Sequence, residues 1–123
     1  MSERDLQKHV VQLLELSAAP DVIWWHTPNG EKRSKKTAAL LKAMGVKAGI
    51  PDLTFVFPGG RVRFLELKWK RGRFSTAQKQ LRETCIRTAC PYAVARTPEE
   101  AATVLHLWGA IRENPFAKQR AAA

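Results

Sequence analysis

The sequence predicts an α/β fold, a single mixed sheet flanked by helices, and three observations carry that expectation. Segments with apolar residues at helical spacing alternate with short β-prone runs, giving the order α, β, α, β, β, α, β, α. The 123 residues fit one domain, able to bury a core without disulfides or a structural metal. No internal repeat, heptad array or low-complexity linker breaks that order.

The first helix is predicted over Ser2 to Leu16, opened by a Ser cap and acidic residues, with Leu6, Val10, Leu13 and Leu14 on one face. Pro20 ends that region, and Val22 to Trp25 read as strand one, stopped by Thr27, Pro28, Asn29 and Gly30. After the polar stretch Glu31 to Lys36, the recurrence of Ala38, Leu41 and Met44 predicts a second helix ending at Gly45. Leu53, Phe55 and Phe57 start a hairpin, turned by Pro58, Gly59 and Gly60 and completed by the apolar run Val62 to Trp69. Ser75 is the cap expected for a helix carrying Ala77, Leu81, Cys85 and Ile86. Pro91 starts the last strand, Tyr92 to Ala95; Thr97 and Pro98 then open a closing helix with Ala101, Val104, Leu105 and Trp108 inward. The domain is expected over 1–113, with 114–123 a flexible tail.

Charge narrows the function. Lys plus Arg number 21 against 11 Asp plus Glu, a net +10, which favours a polyanionic partner, although other basic proteins share the property. Cys85 and Cys90 match neither a CxxC redox pair nor a zinc site and read as reduced packing residues. No apolar run approaches the ~18 to 20 residues that span a bilayer. Met1 to Asp5 is charged rather than signal-like, so a cytoplasmic location is expected.

The third strand carries the chemistry. Val62, Phe64, Glu66 and Lys68 share one face, and Leu65, Leu67 and Trp69 the other. A carboxylate and an ammonium on a strand covered on both sides need compensation by pairing or by metal. Asp52, at the mouth of the preceding strand, would be brought beside Glu66 by the hairpin. Two adjacent carboxylates resist joint ionisation unless a divalent cation lies between them, and hard oxygen ligands suit Mg²⁺ or Mn²⁺, with the Leu67 carbonyl completing the set. Such a cation would activate water and neutralise a scissile phosphate while Lys68 orients or deprotonates the water. The plain alternative is a surface ion pair of Glu66 with Lys68 and an Asp52 that caps a turn.

Gly49, Ile50, Pro51, Asp52 and Leu53, followed by Leu65, Glu66, Leu67 and Lys68, resemble the PD…(D/E)xK nuclease signature, and specifically the VRR-NUC family. The resemblance covers most of the chain and includes His26, Asn29, Gly30 and Arg33 after strand one, and Ser75 with Gln78. It implies a restriction-endonuclease-like fold and hydrolysis of DNA phosphodiester bonds. It implies further that Glu3, followed by Leu6 and Gln7, is an additional metal ligand, and that Gln78 belongs to the catalytic centre with Asp52, Glu66 and Lys68. Stand-alone members resemble phage proteins acting as dimers on branched DNA such as Holliday junctions, so a homodimer and branched DNA are expected, with the helix Lys36 to Met44 and the apolar residues near Trp24 as candidate interfaces. Leu67 stands where Val or Ala is commoner in the family, of little consequence if only its carbonyl is used.

The residues expected to contact DNA are Asn29, Lys32, Arg33, Lys35, Lys36, Lys70, Arg71 and Arg73, drawn from the two basic stretches and the Asn-Gly segment; a solvated charged loop is the bland reading of each. His26 can approach the site from strand one, or simply pack with a hydrogen bond. Trp24, Trp25 and Trp108 are expected in the core, whereas Trp69, beside Lys70 and Arg71, can reach DNA. A DNA-binding module without catalysis and a ribonuclease are the competing functions.

Overall fold

The computed structural model of the chain describes residues 1–28 and 34–117. The eight elements run in the expected order: α1 (Glu3–Ser17), β1 (Ile23–His26), α2 (Lys35–Ala43), β2 (Leu53–Phe57), β3 (Arg61–Leu67), α3 (Thr76–Arg87), β4 (Tyr92–Ala95) and α4 (Pro98–Trp108). Local chemistry sets the helix starts. Ser2 and Asp5 form a capping box on α1, Ser75 and Gln78 form one on α3, and Thr97 caps α4 with Pro98 in its first turn. Orphan amides at each N-terminus are thereby satisfied by side chains already in the sequence.

The sheet is mixed, in the order β1-β2-β3-β4, antiparallel between β1 and β2 and between β2 and β3, parallel between β3 and β4. Because Leu53 pairs with Leu65 and Leu65 with Ala93, the alternate residues Leu53, Phe55, Phe57, Leu65, Leu67 and Ala95 fall on one face. That face is closed by Leu6, Val10 and Leu14 of α1 and Ala101, Ala102 and Leu105 of α4, all buried. Phe55 meets Trp108 edge-on at 5.9 Å, and the Arg63 guanidinium lies 5.4 Å from the Phe57 ring and 5.6 Å from that of Trp108. The opposite face carries Thr54, Phe64, Glu66, Tyr92 and Val94 in register, with α3 lying against β4.

Several expectations are corrected. β1 starts at Ile23 rather than Val22 and extends to His26. Trp25, expected in the core, is 45% exposed, because it pairs with Thr54 and so points to the face that α1 and α4 do not cover. β3 stops at Leu67, where the ladder to Ala95 ends, although the Lys68 amide still donates to the Ala95 carbonyl at 3.0 Å. Ile86 is 71% exposed, since α3 docks through its neighbour Cys85. α2 ends at Ala43 with Met44 as its C-cap, just short of the expected stop at Gly45; it buries no residue and packs on no other helix or strand among the described residues. The segment from 114, expected as a flexible tail, begins with a turn in which Phe116 packs against the core; residues 118–123 lie outside the described residues.

Candidate active site

Hairpin register positions the carboxylates. Leu53 pairs with Leu65, so Asp52, one step before β2, faces the level of Glu66, one step further along β3. Asp52 Oδ2 accepts a 2.7 Å hydrogen bond from the Leu67 amide. In a strand the N–H and C=O of one residue point to the same side, which turns the Leu67 carbonyl toward Asp52 as well. The Asp52 carbonyl is held in turn by the Thr27 amide at 3.0 Å and by His26 Nδ1 at 2.8 Å. A neutral His26 therefore carries its proton on Nδ1, where it donates.

Gln78 ties the lysine to the glutamate. It is the third residue of α3, and its Oε1 accepts from the Ser75 amide at 2.8 Å and from Lys68 Nζ at 3.1 Å, while its Nε2 donates to Glu66 Oε1 at 3.4 Å. Lys68 Nζ stands 4.0 Å from Glu66 Oε1 and 5.3 Å from the centre of the Phe74 ring. Close backbone approach brings α3 here: a Cβ on Gly49 would lie 2.5 Å from the Ala77 carbonyl carbon, and the residue has φ +81°. Only glycine meets both demands at low cost.

The electrostatics are those of an incomplete site. Glu66 is 2% exposed, yet its Oε2 has no hydrogen-bond partner among the described residues. Burial and then the neighbouring Asp52 charge push its carboxyl up to about 9; Lys68 opposes the shift and Glu3 adds to it. Burial, followed by the charge of Glu66, likewise pushes up the Tyr92 phenol, whose buried hydroxyl also lacks a partner among the described residues. Two carboxylates and an ammonium thus meet beside the Leu67 backbone, with one buried acceptor oxygen that has no donor among the described residues.

The profile of the VRR-NUC domain matches residues 1–98, about four-fifths of the chain. The chain belongs to the VRR-NUC family. A solved structure described as a VRR_NUC domain superposes with a TM-score of 0.57 at 16% identity, covering 86% of this chain and 97% of that one, a likeness of fold. No curated protein matches. Membership makes the chain a nuclease-type, DNA-acting domain.

In this VRR-NUC domain Asp52, Glu66, Lys68 and Gln78 converge, with the Leu67 backbone beside them. Glu3, in the first turn of α1, comes near from the other side: its Oε2 would lie 3.4 Å from a Cβ on Gly72, beside the Lys68 stem. Among the described residues, however, no three His, Cys, Asp or Glu form a ready metal cluster, so Glu3 stands apart from the Asp52 and Glu66 pair. Lys70, Arg71 and Arg73 are exposed on the turn after β3, and Lys35 and Lys36 are exposed in the first turn of α2. Asn29, Lys32 and Arg33 lie outside the described residues. Trp69 packs its ring partly against the core and carries Lys70 Nζ 5.7 Å above it.

Sequence reasoning missed the residue that organises the basic turn of the VRR-NUC domain. Arg96, just after β4, donates from Nη1 to the carbonyls of Lys70 at 2.7 Å and Gly72 at 3.1 Å. A guanidinium that binds carbonyls more than twenty residues away leaves no local pattern. Gly72 did leave one, a glycine inside a basic run, and its absent side chain keeps space between the Trp69 carbonyl, Glu3 and Lys68.

Proposed function

We propose that this VRR-NUC domain is a divalent-metal-dependent endonuclease, cutting branched DNA such as a four-way junction as a homodimer. One observation carries the metal: the buried Oε2 of Glu66, beside Asp52, has no hydrogen-bond partner among the described residues. A buried carboxylate with a free oxygen, a second carboxylate and a strand carbonyl make a hard-oxygen donor set that fits Mg²⁺, with Mn²⁺ as substitute. Glu66, Asp52 and the Leu67 carbonyl would hold the cation, and Glu3 would join directly or through water. When bound, it supplies Lewis-acid neutralisation of the phosphate and a more acidic water.

The protein's own groups do the rest. Asp52, fixed by the Leu67 amide, keeps one oxygen for coordination. Lys68 brings its ammonium beside Glu66, where it orients the attacking water and compensates charge on the phosphate. Gln78 holds that ammonium in place. Lys35, Lys36, Lys70, Arg71 and Arg73, with Asn29, Lys32 and Arg33, supply the backbone contacts.

The dimer draws support from the uncovered sheet face, where Ile23, Val56 and Val62 form one cross-strand row with Ile23 63% and Val62 37% exposed, next to Trp25 on edge strand β1. A two-fold dimer would set two centres on opposite strands of a symmetric junction. The test is cleavage of a four-way junction and a matched linear duplex with Mg²⁺, with Mn²⁺ and with chelator, alongside a measurement of molar mass by light scattering. Metal-dependent cleavage favouring the junction, from a dimeric species, is expected. Failure to cut any DNA with either metal sinks the enzyme, and a monomer sinks the junction reading.

A further inference from the structure

The end of α3 holds a feature that nuclease chemistry does not use. The Cys90 amide donates to the Cys85 carbonyl at 2.8 Å and the Ala89 amide to the Ile86 carbonyl at 3.3 Å, while Ala89 takes a left-handed φ of 55°. These are the paired bonds of a Schellman motif, counted from Thr88 as the helix C-cap. Such a motif brings the side chains three residues before and two after the cap into contact, normally as a small hydrophobic pair. Here both positions are cysteine, and both thiols are free.

The two thiols differ in access. Cys85 is 4% exposed, whereas Cys90 is half-buried, its Sγ 3.6 Å from the Val62 carbonyl. Both line one open cavity with Arg82, Ile86, Ala89 and Tyr92, so a small oxidant has a route to Cys90. Burial first, and then the neighbouring Cys90, pushes up the Cys85 thiol, as expected for adjacent sulfurs.

We propose that Cys85 and Cys90 are a dithiol redox pair that closes a reversible disulfide across the C-terminal cap of α3 on meeting a hydroperoxide. Cys90, the accessible sulfur, attacks one peroxide oxygen: an S–O bond forms, the O–O bond breaks, and the departing oxygen takes up a proton to leave as water or an alcohol. Cys85 then attacks the Cys90 sulfur; the S–S bond forms, the S–O bond breaks, and hydroxide leaves with the Cys85 proton as water. Two thiols are oxidised and one hydroperoxide is reduced. Buried beside its partner, Cys85 serves as the resolving thiol that stops Cys90 from oxidising further.

The experiment treats the full chain with stoichiometric hydrogen peroxide, blocks residual thiols and maps tryptic peptides without reductant. Cleavage after Arg82, Arg87 and Arg96 puts Cys85 in peptide 83–87 and Cys90 in peptide 88–96. The two peptides are expected linked, with a loss of two hydrogens from the intact mass that dithiothreitol reverses and a Tm higher by about 5 °C from closing the short loop. Cys85→Ser should instead leave Cys90 carrying added oxygen atoms. Unlinked peptides in the wild type, whether Cys90 is overoxidised or both thiols stay open to alkylation, would overturn the pair, as would a disulfide between two chains.

Discussion

Glu66 is the residue whose position is hardest to explain without a ligand. A carboxylate 2% exposed, with one oxygen unpartnered among the described residues and Asp52 beside it, is disfavoured as an anion, which is why its carboxyl rises to about 9. The ordinary carboxyl value of 4.5 applies when the chain unfolds. Between these two values the folded, metal-free protein holds a proton that the unfolded chain has released, so the contribution is complete below the lower value and lost as pH rises through the upper one. The Tm of chelator-treated protein is expected to fall from pH 5 to about 9, and Glu66→Gln should flatten that slope while abolishing metal-dependent stabilisation. An unchanged slope in the variant would locate the pH dependence elsewhere. In the proposed mechanism Lys68 would act on the reaction rather than on metal affinity. Lys68→Ala should lower cleavage about 10² to 10⁴-fold with DNA binding retained, and Gln78→Ala about 10-fold or more, since the ammonium loses its acceptor. Single-turnover rates beside filter-binding affinities separate these effects from lost binding. Glu66 and Lys68 were legible in the sequence because they break the apolar rule of a covered strand; Gln78 had a role only by resemblance, since its bonds to Lys68 and Glu66 depend on where α3 docks, and its bond to the Ser75 amide is an ordinary cap.

At the scale of elements, the centre depends on the loop before β2 meeting the first turn of α3. Gly49 permits that meeting, with a substituent there falling 2.5 Å from the Ala77 carbonyl carbon and 2.8 Å from the Gln78 amide nitrogen. Gly49→Ala should therefore push α3 away, cost about 1 to 3 kcal/mol through φ and clash together, and suppress cleavage more than Ser75→Ala, which removes one cap worth about 1 kcal/mol. Denaturant unfolding and cleavage rates measured on the same preparations check both; a Gly49→Ala protein as stable and active as wild type refutes the close contact. The elements themselves were readable because helical and strand periodicities are local and the caps at Ser2, Ser75 and Thr97 are single residues. Which side of an element meets the core was less so. Alternation along β1 separates Trp24 from Trp25, but only pairing with β2 decides that Trp24 packs on the core and Trp25 stays exposed. The apolar spacing of α2 likewise shows a face without showing that this face buries nothing in the monomer.

For the whole molecule, a net charge of +10 sets the long-range field, and the turn after β3 adds three exposed cations to it. Lys70, Arg71 and Arg73 project from a turn that Arg96 pins through two carbonyls, so these cations are presented together rather than as independent solvated side chains. Each phosphate neutralised on duplex DNA contributes about −0.9 to the slope of log affinity against log salt. Replacing Lys70, Arg71 and Arg73 with Gln should therefore make that slope shallower by about 2 to 3 while leaving Tm near the wild-type value, because none of the three is buried. Arg96→Ala should weaken binding at low salt with a smaller change of slope, since the cations remain but are no longer held in one arrangement. Titrations of a labelled junction at several salt concentrations read both effects, and an unaltered slope in the triple variant would mean that the turn faces away from bound DNA and that the +10 charge acts through other surfaces.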